Sequence, residues 1–221
     1  PKNLNQKFTA VVNSEYRNSV TLNHSATHLL QASLRQILGD HVTQKGSLVN
    51  SKYLRFDFSY YQKVEKEELE AIEKLVNYKI RSSIALKEDR NIPFDKAIQQ
   101  GAMALFGEKY GDTVRMVTFD QDFSVELCGG THVSNTAQIG SFRIVSEGAV
   151  AAGVRRIEAF TGAHADDYVK NQLELLDLVR SELGNQKDIL KAIKDIKNEN
   201  FSFKEKLEAF EHEQVAGLKN K

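Results

Sequence analysis

The chain has 221 residues, 41% of them hydrophobic and 27% charged, the balance of an ordinary globular protein. Lys+Arg and Asp+Glu each number 30, so any nucleic-acid partner has to be held by a local patch and not by overall charge. The single cysteine, Cys128, excludes an internal disulfide and points to a reducing compartment, the cytoplasm, while no run is long and apolar enough to cross a membrane and no signal peptide opens the chain.

The chain begins at Pro1 without a Met and reads as a piece of something longer. Its first clear element is a helix from about Asn23 to Leu38, capped by Asn23 or Ser25 and closed by Gly39-Asp40. Leu54, Phe56 and Phe58 alternate with Tyr53, Arg55 and Asp57, the pattern of a half-buried strand. Apolar residues at Leu69, Ile72, Leu75 and Val76 predict a second helix over Glu67–Ser82. Pro93 stands at a helix start, ahead of Phe94, Ala97 and Ile98. Strand-like runs then follow closely at Val114–Phe119, Ser124–Leu127, Ser141–Val145 and Val154–Phe160. Their short connections predict antiparallel neighbours. The expected fold class of residues 1–162 is therefore α+β, one antiparallel sheet with helices packed on one side.

After Gly162 the strand signals stop. Ala163 to Leu183 is helical, with Val169, Leu173, Leu176 and Leu183 on one stripe, and Gly184-Asn185 breaks it. Ile189, Ile193, Ile196, Phe203, Leu207 and Phe210 then recur at alternating spacings of four and three, a heptad seam. Asn200 and Gln214 fall on the same seam, where polar residues weaken packing but fix register or partner. Residues 163–221 are expected to form a helical hairpin or coiled coil, with a homodimer through the seam as one use of it. An amphipathic helix lying on the first domain is the alternative.

The chemistry gathers in two short stretches. NHSATHLL places His24 and His28 four apart, on one face of a helix. The zinc-peptidase pattern His-Glu-x-x-His is not met, because Ser25 stands where the general-base Glu belongs. In ELCGGTHV, Cys128 and His132 flank Gly129-Gly130, which let the backbone fold tightly enough to aim both side chains inward. Two imidazoles from a helix, with a thiolate and an imidazole from a strand-end loop, make a tetrahedral zinc set. The competing fate of Cys128 is that of a small buried hydrophobe. Four protein ligands fill a tetrahedral zinc, whereas catalytic sites leave a position open, so catalysis here requires either an expanded coordination or a ligand that leaves.

HSATH, TQKGSLV from Thr43 to Val49, LRFDF from Leu54, LFGEKYGD from Leu105, ELCGGTH and GAVAAGVRRIEAFTG up to Gly162 occur in that order in alanyl-tRNA synthetases. The chain resembles that family over nearly all of residues 14–162. The paired HxxxH and CxxxH signature is also similar to free-standing alanyl-tRNA editing proteins and, more distantly, to the editing domain of threonyl-tRNA synthetases. The long motif around Arg155-Arg156 and the helical tail resemble the full synthetase more. The resemblance implies an editing domain over residues 1–162, followed by the start of a C-terminal helical region over 163–221. It implies hydrolysis of seryl- and glycyl-tRNA(Ala) at a zinc held by His24, His28, Cys128 and His132, with the acceptor end of tRNA(Ala) and the rest of the synthetase as partners. The family's ATP-dependent aminoacylation portion has no counterpart in this sequence. Position and resemblance together add Thr27 at the pocket wall, Gln44 near the pocket, and Arg155 toward the pocket or the tRNA end, with Arg156 on the opposite face of the strand. Action in trans as a free-standing editing protein, or tRNA docking and dimerisation without hydrolysis, are the alternatives.

Overall fold

The computed structural model describes residue 7 and residues 9–104 and 109–219, the last six of these as backbone only. Residues 105–108 of the LFGEKYGD stretch and the side chain of Gln214 lie outside it. The chain divides into two compact units, 1–167 and 168–221.

The first unit is α+β. Its long helix α1 (Ser14–Leu38) starts well before the expected cap, because the Asn13 side chain accepts the Tyr16 N–H and nucleates an earlier first turn. Asn23 and Ser25 are therefore interior residues of α1. Gly39, at φ 113, closes the helix as expected. Strand β1 (Gln44–Val49) pairs antiparallel with β2 (Leu54–Ser59), and β2 with β7 (Val154–Thr161). Strand β6 (Phe142–Ala151) completes a four-stranded sheet of order β1-β2-β7-β6. Helix α2 (Lys66–Arg81) opens with a capping box between Glu65 and Glu68.

A second sheet departs from the single-sheet expectation. Strands β3 (Lys87–Pro93), β4 (Thr113–Asp120) and β5 (Ser124–Leu127) form it in the order β3-β4-β5, all antiparallel. The short helix α3 (Phe94–Gln99) follows β3, with Pro93 as its N-cap. The two strands without a sequence signal, β1 and β3, are both sheet edges. Charges, Pro or Gly on an edge strand blunt unwanted pairing, and the charges and Pro of KEDRNIP and the Lys and Gly of QKGSLV hide a period-two pattern.

The main core lies between α1, α2 and the four-stranded sheet. Leu29, Leu30, Leu34, Leu54, Phe56, Phe58, Ile72 and Ile157 are all fully buried there. A smaller core of Ile92, Ala97, Val114, Met116, Val125 and Leu127 serves the second sheet. Asp57, pointing away from the main core, is covered by the fork of Arg156 at 2.7 and 2.8 Å. Arg155, on the opposite face of β7, is clamped in the same way by Glu147 of β6.

Helix α4 (Gly162–Glu182) begins directly from β7, and its first turn buries Ala165 in the first unit. Gly184 and Asn185 both take positive φ, and the Asn185 N–H returns to the Arg180 carbonyl at 2.9 Å. This left-handed stop ends the helical run at the expected place. In the second unit α5 (Ile189–Lys219) carries the heptad seam. Ile189 and Ile193 are half-buried, whereas Asn200 is exposed and Ile196, Phe203, Leu207 and Phe210 are each more than half exposed, so the seam is open from Ile196 onward.

Asn23 fastens α1 to the sheet. Its amide donates to the Asn50 carbonyl at 2.8 Å and accepts from the Thr161 hydroxyl at 2.7 Å, with Asn23 and Thr161 both buried. Asn23→Ala leaves both partners unpaired and should cost roughly 1–3 kcal/mol, read from urea unfolding followed by circular dichroism. A loss below about 0.5 kcal/mol would show that water replaces the amide, whose net worth would then fall below the usual hydrogen-bond range.

Candidate metal centre

Helix periodicity turns His24 and His28 to one side of α1, and the loop after β5 brings Cys128 and His132 against them. One ligand atom from each of the four residues lies within 4.8 Å of all the others. The Cys128 Sγ is 3.5 Å from His24 Nε2, 3.3 Å from His132 Nε2 and 3.4 Å from the Gly130 N–H. The three imidazole centroids stand 4.4–5.2 Å apart. His28 is buried and the other three are half-buried. Of the two glycines, Gly130 is required by space: a Cβ there would clash with Cε1 of the His24 ring, whereas one on Gly129 meets nothing within 4 Å.

Neighbouring groups settle which ring nitrogens face inward. The Ser25 hydroxyl gives its only hydrogen to the Thr21 carbonyl at 2.9 Å and accepts the Val133 N–H at 3.0 Å. Toward His132 Nδ1, 3.4 Å away, it can therefore only accept. That keeps the proton on Nδ1 and leaves Nε2 free as a ligand. His28 Nδ1 lies 2.9 Å from Glu126 Oε2, a close charge contact whose alignment falls short of a hydrogen bond. The carboxylate sits where metal-binding histidines commonly find one.

The electrostatics of the ion-free cluster match this geometry. Burial pushes the Cys128 thiol up, but the imidazoles packed around it, with the charge on His28, outweigh it and bring it down to about 3, so the sulfur is a thiolate. Burial likewise works against charge on His28, yet the Glu126 and Cys128 charges prevail and raise it to about 10. His132 is lowered to about 4, chiefly by burial, against its bond to Cys128. One soft thiolate and three imidazoles with inward nitrogens are a donor set suited to zinc and other borderline-soft divalent metals.

A cavity of about 550 Å³ opens beside the cluster, lined by Glu88, Arg90, Arg115, Gly130, Thr131 and His132. Of the other residues singled out by the sequence, Thr27 precedes His28 on α1, whereas Gln44 and Arg155 lie at the far end of the four-stranded sheet. Thr27 is buried in α1 and its hydroxyl donates to the Asn23 carbonyl at 2.8 Å. Gln44 and Arg155 both lie opposite Phe58, at one end of the four-stranded sheet. Asn23, next to His24, is anchored at the other end, on Asn50 and Thr161. Arg155 is held by Glu147. Sequence reading missed Ser25, Glu126 and Arg115 as supports of the site. Glu126 had a signal, since residues two apart on a strand share a face and Cys128 follows it by two. Arg115 had none, because only the β4–β5 register sets it against Cys128.

Residues 114–158, from β4 into β7, match the family described as the threonyl and alanyl tRNA synthetase second additional domain. That segment holds Cys128 and His132, while His24 and His28 precede it. The chain is 51% identical over 220 residues to the alanine–tRNA ligase of Flavobacterium psychrophilum, covering 100% of this chain and 25% of that protein. It is 50% identical over 221 residues to that of Christiangramia forsetii, again covering 100% of the chain and 25% of the relative. With that of Salinibacter ruber it shares 51% identity over 182 residues, 82% of the chain and 19% of the relative. The chain thus spans about a quarter of the length of the relatives it matches. Over its whole length it corresponds to one region of the alanine–tRNA ligases, the region that carries this second additional domain.

Proposed function

We propose that residues 1–162 form a zinc-dependent editing domain, followed by a helical region over 163–221, and that the domain hydrolyses the ester of seryl- and glycyl-tRNA(Ala). The observation that carries this reading is the convergence of His24, His28, Cys128 and His132 within 4.8 Å, in a chain that matches a region of alanine–tRNA ligases. Zinc, when bound, supplies a Lewis acid that polarises a carbonyl or a water. The chain's own part is to hold the imidazoles in their tautomers through Ser25 and Glu126 and to keep the sulfur ionised. The adjacent cavity admits the acceptor end beside His132. Because the bond broken is an activated ester, no protein nucleophile is needed, and Cys128 is committed as a ligand.

The need for such a site follows from energetics. Alanine, glycine and serine differ by a methyl or a hydroxyl, and a synthetic pocket rejects such analogues incompletely. Serine is larger than alanine, so size alone cannot spare the correct product. A polar group must read the serine hydroxyl. Thr27, on the rigid helix one residue before His28, is the proposed reader, with Gln44 as a further contact for a substrate reaching along the sheet. The Thr27 proton is already given to Asn23, so Thr27 would accept from serine. One observation favours a second reading: four protein ligands complete a tetrahedral zinc, as in structural sites. In that reading the metal only holds α1 to the loop, and the domain docks tRNA without cleaving it.

Elemental analysis of the purified chain should find one zinc per molecule, and Cys128→Ala should lower that content, since the thiolate is the one soft ligand. Full occupancy in the variant would remove Cys128 from the ligand set.

Zinc takes neutral imidazole and thiolate. Cys128 is ionised above about pH 3 and His28 keeps its proton to about pH 10, so in mildly basic solution the proton displaced is that of His28. Affinity should therefore rise with pH, by about tenfold per unit between about pH 7.5 and 8.5, in competition with a chromophoric chelator. A flat profile would take His28 out of the set.

Single-turnover deacylation separates the two functional readings. Metal-loaded chain should cleave seryl- and glycyl-tRNA(Ala) and spare alanyl-tRNA(Ala). Loss of one hydrogen bond is worth about 0.5–1.5 kcal/mol, so Thr27→Val should slow the seryl ester a few-fold to about tenfold and the glycyl ester less. Metal without cleavage would establish the docking reading, and equal slowing of both esters would make Thr27 merely structural.

A further inference from the structure

The softest donor of the proposed metal centre opens a glycine-containing turn. Strand β5 ends at Leu127, and Cys128 is followed by two glycines, each with wide backbone freedom. A side chain from the neighbouring strand reaches this turn. Arg115 of β4 stands opposite Cys128, one step beyond the Met116–Leu127 pair, and its carbonyl accepts the Cys128 N–H at 3.1 Å. Its Nη1 donates to the Cys128 carbonyl at 2.8 Å and to the Gly130 carbonyl at 2.5 Å. Its Nε and Nη2 lie 3.3 and 3.1 Å from the two carboxylate oxygens of Glu88 on β3. Arg90 holds the same carboxylate from the solvent side at 3.0 Å.

We infer that Arg115, braced by Glu88, is the positioning residue that sets the Cys128 thiolate for the metal, acting through the backbone of the Cys128–Gly130 turn. The inference rests on the metal reading above. The carbonyls on either side of Gly129 converge on one nitrogen, and two such dipoles repel unless a cation stands between them. Without that cation the glycine peptides are free to turn. The Gly130 N–H, which donates to the sulfur, turns with them, and so does the approach of Gly130 to the His24 ring. The guanidinium meets two carbonyls on one side and the two carboxylate oxygens of Glu88 on the other. A lysine ammonium, a point charge on a flexible stem, cannot span all four. Geometry and not charge alone is therefore what Arg115 contributes.

The test uses the full 221-residue chain. Zinc affinity is measured by chelator competition, and cobalt(II) loading is followed through the thiolate-to-cobalt charge-transfer absorption. Thermal melts check that each variant is folded. The variants are Arg115→Gln, Arg115→Lys, Glu88→Gln and, as a control, Arg143→Gln, whose guanidinium is paired with Glu73 away from the metal. Supports of this kind change metal affinity by roughly 10–100-fold when removed. Arg115→Gln is expected to lose that much and to weaken the charge-transfer band. Glu88→Gln should lose less in the same direction, and Arg115→Lys should stay nearer to Arg115→Gln than to the parent, with the control unchanged. Parent-like affinity and an unaltered cobalt spectrum in Arg115→Gln overturn the inference alone. If Arg115→Gln does not fold, the same result in Glu88→Gln overturns it. A parent chain that binds neither zinc nor cobalt overturns the metal reading, and this inference with it.

Discussion

Three imidazoles and a thiolate held within 4.8 Å, and largely out of water, are an unfavourable arrangement for any chain that gives them no counterpart. Much of the surrounding structure answers that constraint. Ser25 spends its hydroxyl on two backbone groups and keeps the His132 proton outward. Glu126, itself buried, stands against the outer nitrogen of His28. Gly130 makes room for the His24 ring. In the absence of an ion the same groups share protons, leaving an ionised sulfur beside a charged imidazole. A divalent cation replaces those protons with one compact charge that every inward atom already faces.

Much of the site was legible in the sequence because its ligands come in short local patterns. His24 and His28 are one helical turn apart, and Cys128 and His132 bracket a glycine pair. What joins the two pairs is a helix packed on a loop, and no local pattern encodes that. The supports were less legible for the same reason: Arg115 reaches Cys128 only through strand register, and Ser25 looks like an ordinary helix residue until its three neighbours are seen. Nor did any local pattern show that the Arg155 guanidinium pairs with Glu147 of the neighbouring strand β6. The bounds of α2, β4, β5 and β7 were legible to within about a residue, whereas α1 starts nine residues before its expected cap and β6 runs six residues past its expected end. The edge strands β1 and β3 were missed because their charges and glycine serve to discourage pairing, which erases the signal that pairing leaves.

The division of labour between the sheets follows from the same packing. The four-stranded sheet with α1 and α2 forms the larger core and carries the helix end of the metal set. The three-stranded sheet, on a smaller core, presents the Cys128 loop from the end of β5. The candidate centre therefore lies where the middle of α1 meets the loop that follows β5. The exposed seam of α5 is a separate matter, belonging to the second compact unit.

His24 and Cys128 are 104 residues apart in the chain, and between them lie β1, β2 and all of the second sheet. Neither pair of ligands is a complete site. An ion that joins them closes a loop of that length, and loop closure of this kind gains little from early local structure. During synthesis His24 and His28 emerge long before the residues that complete their site. In the proposed metal reading, capture therefore has to wait until both segments are made and brought together.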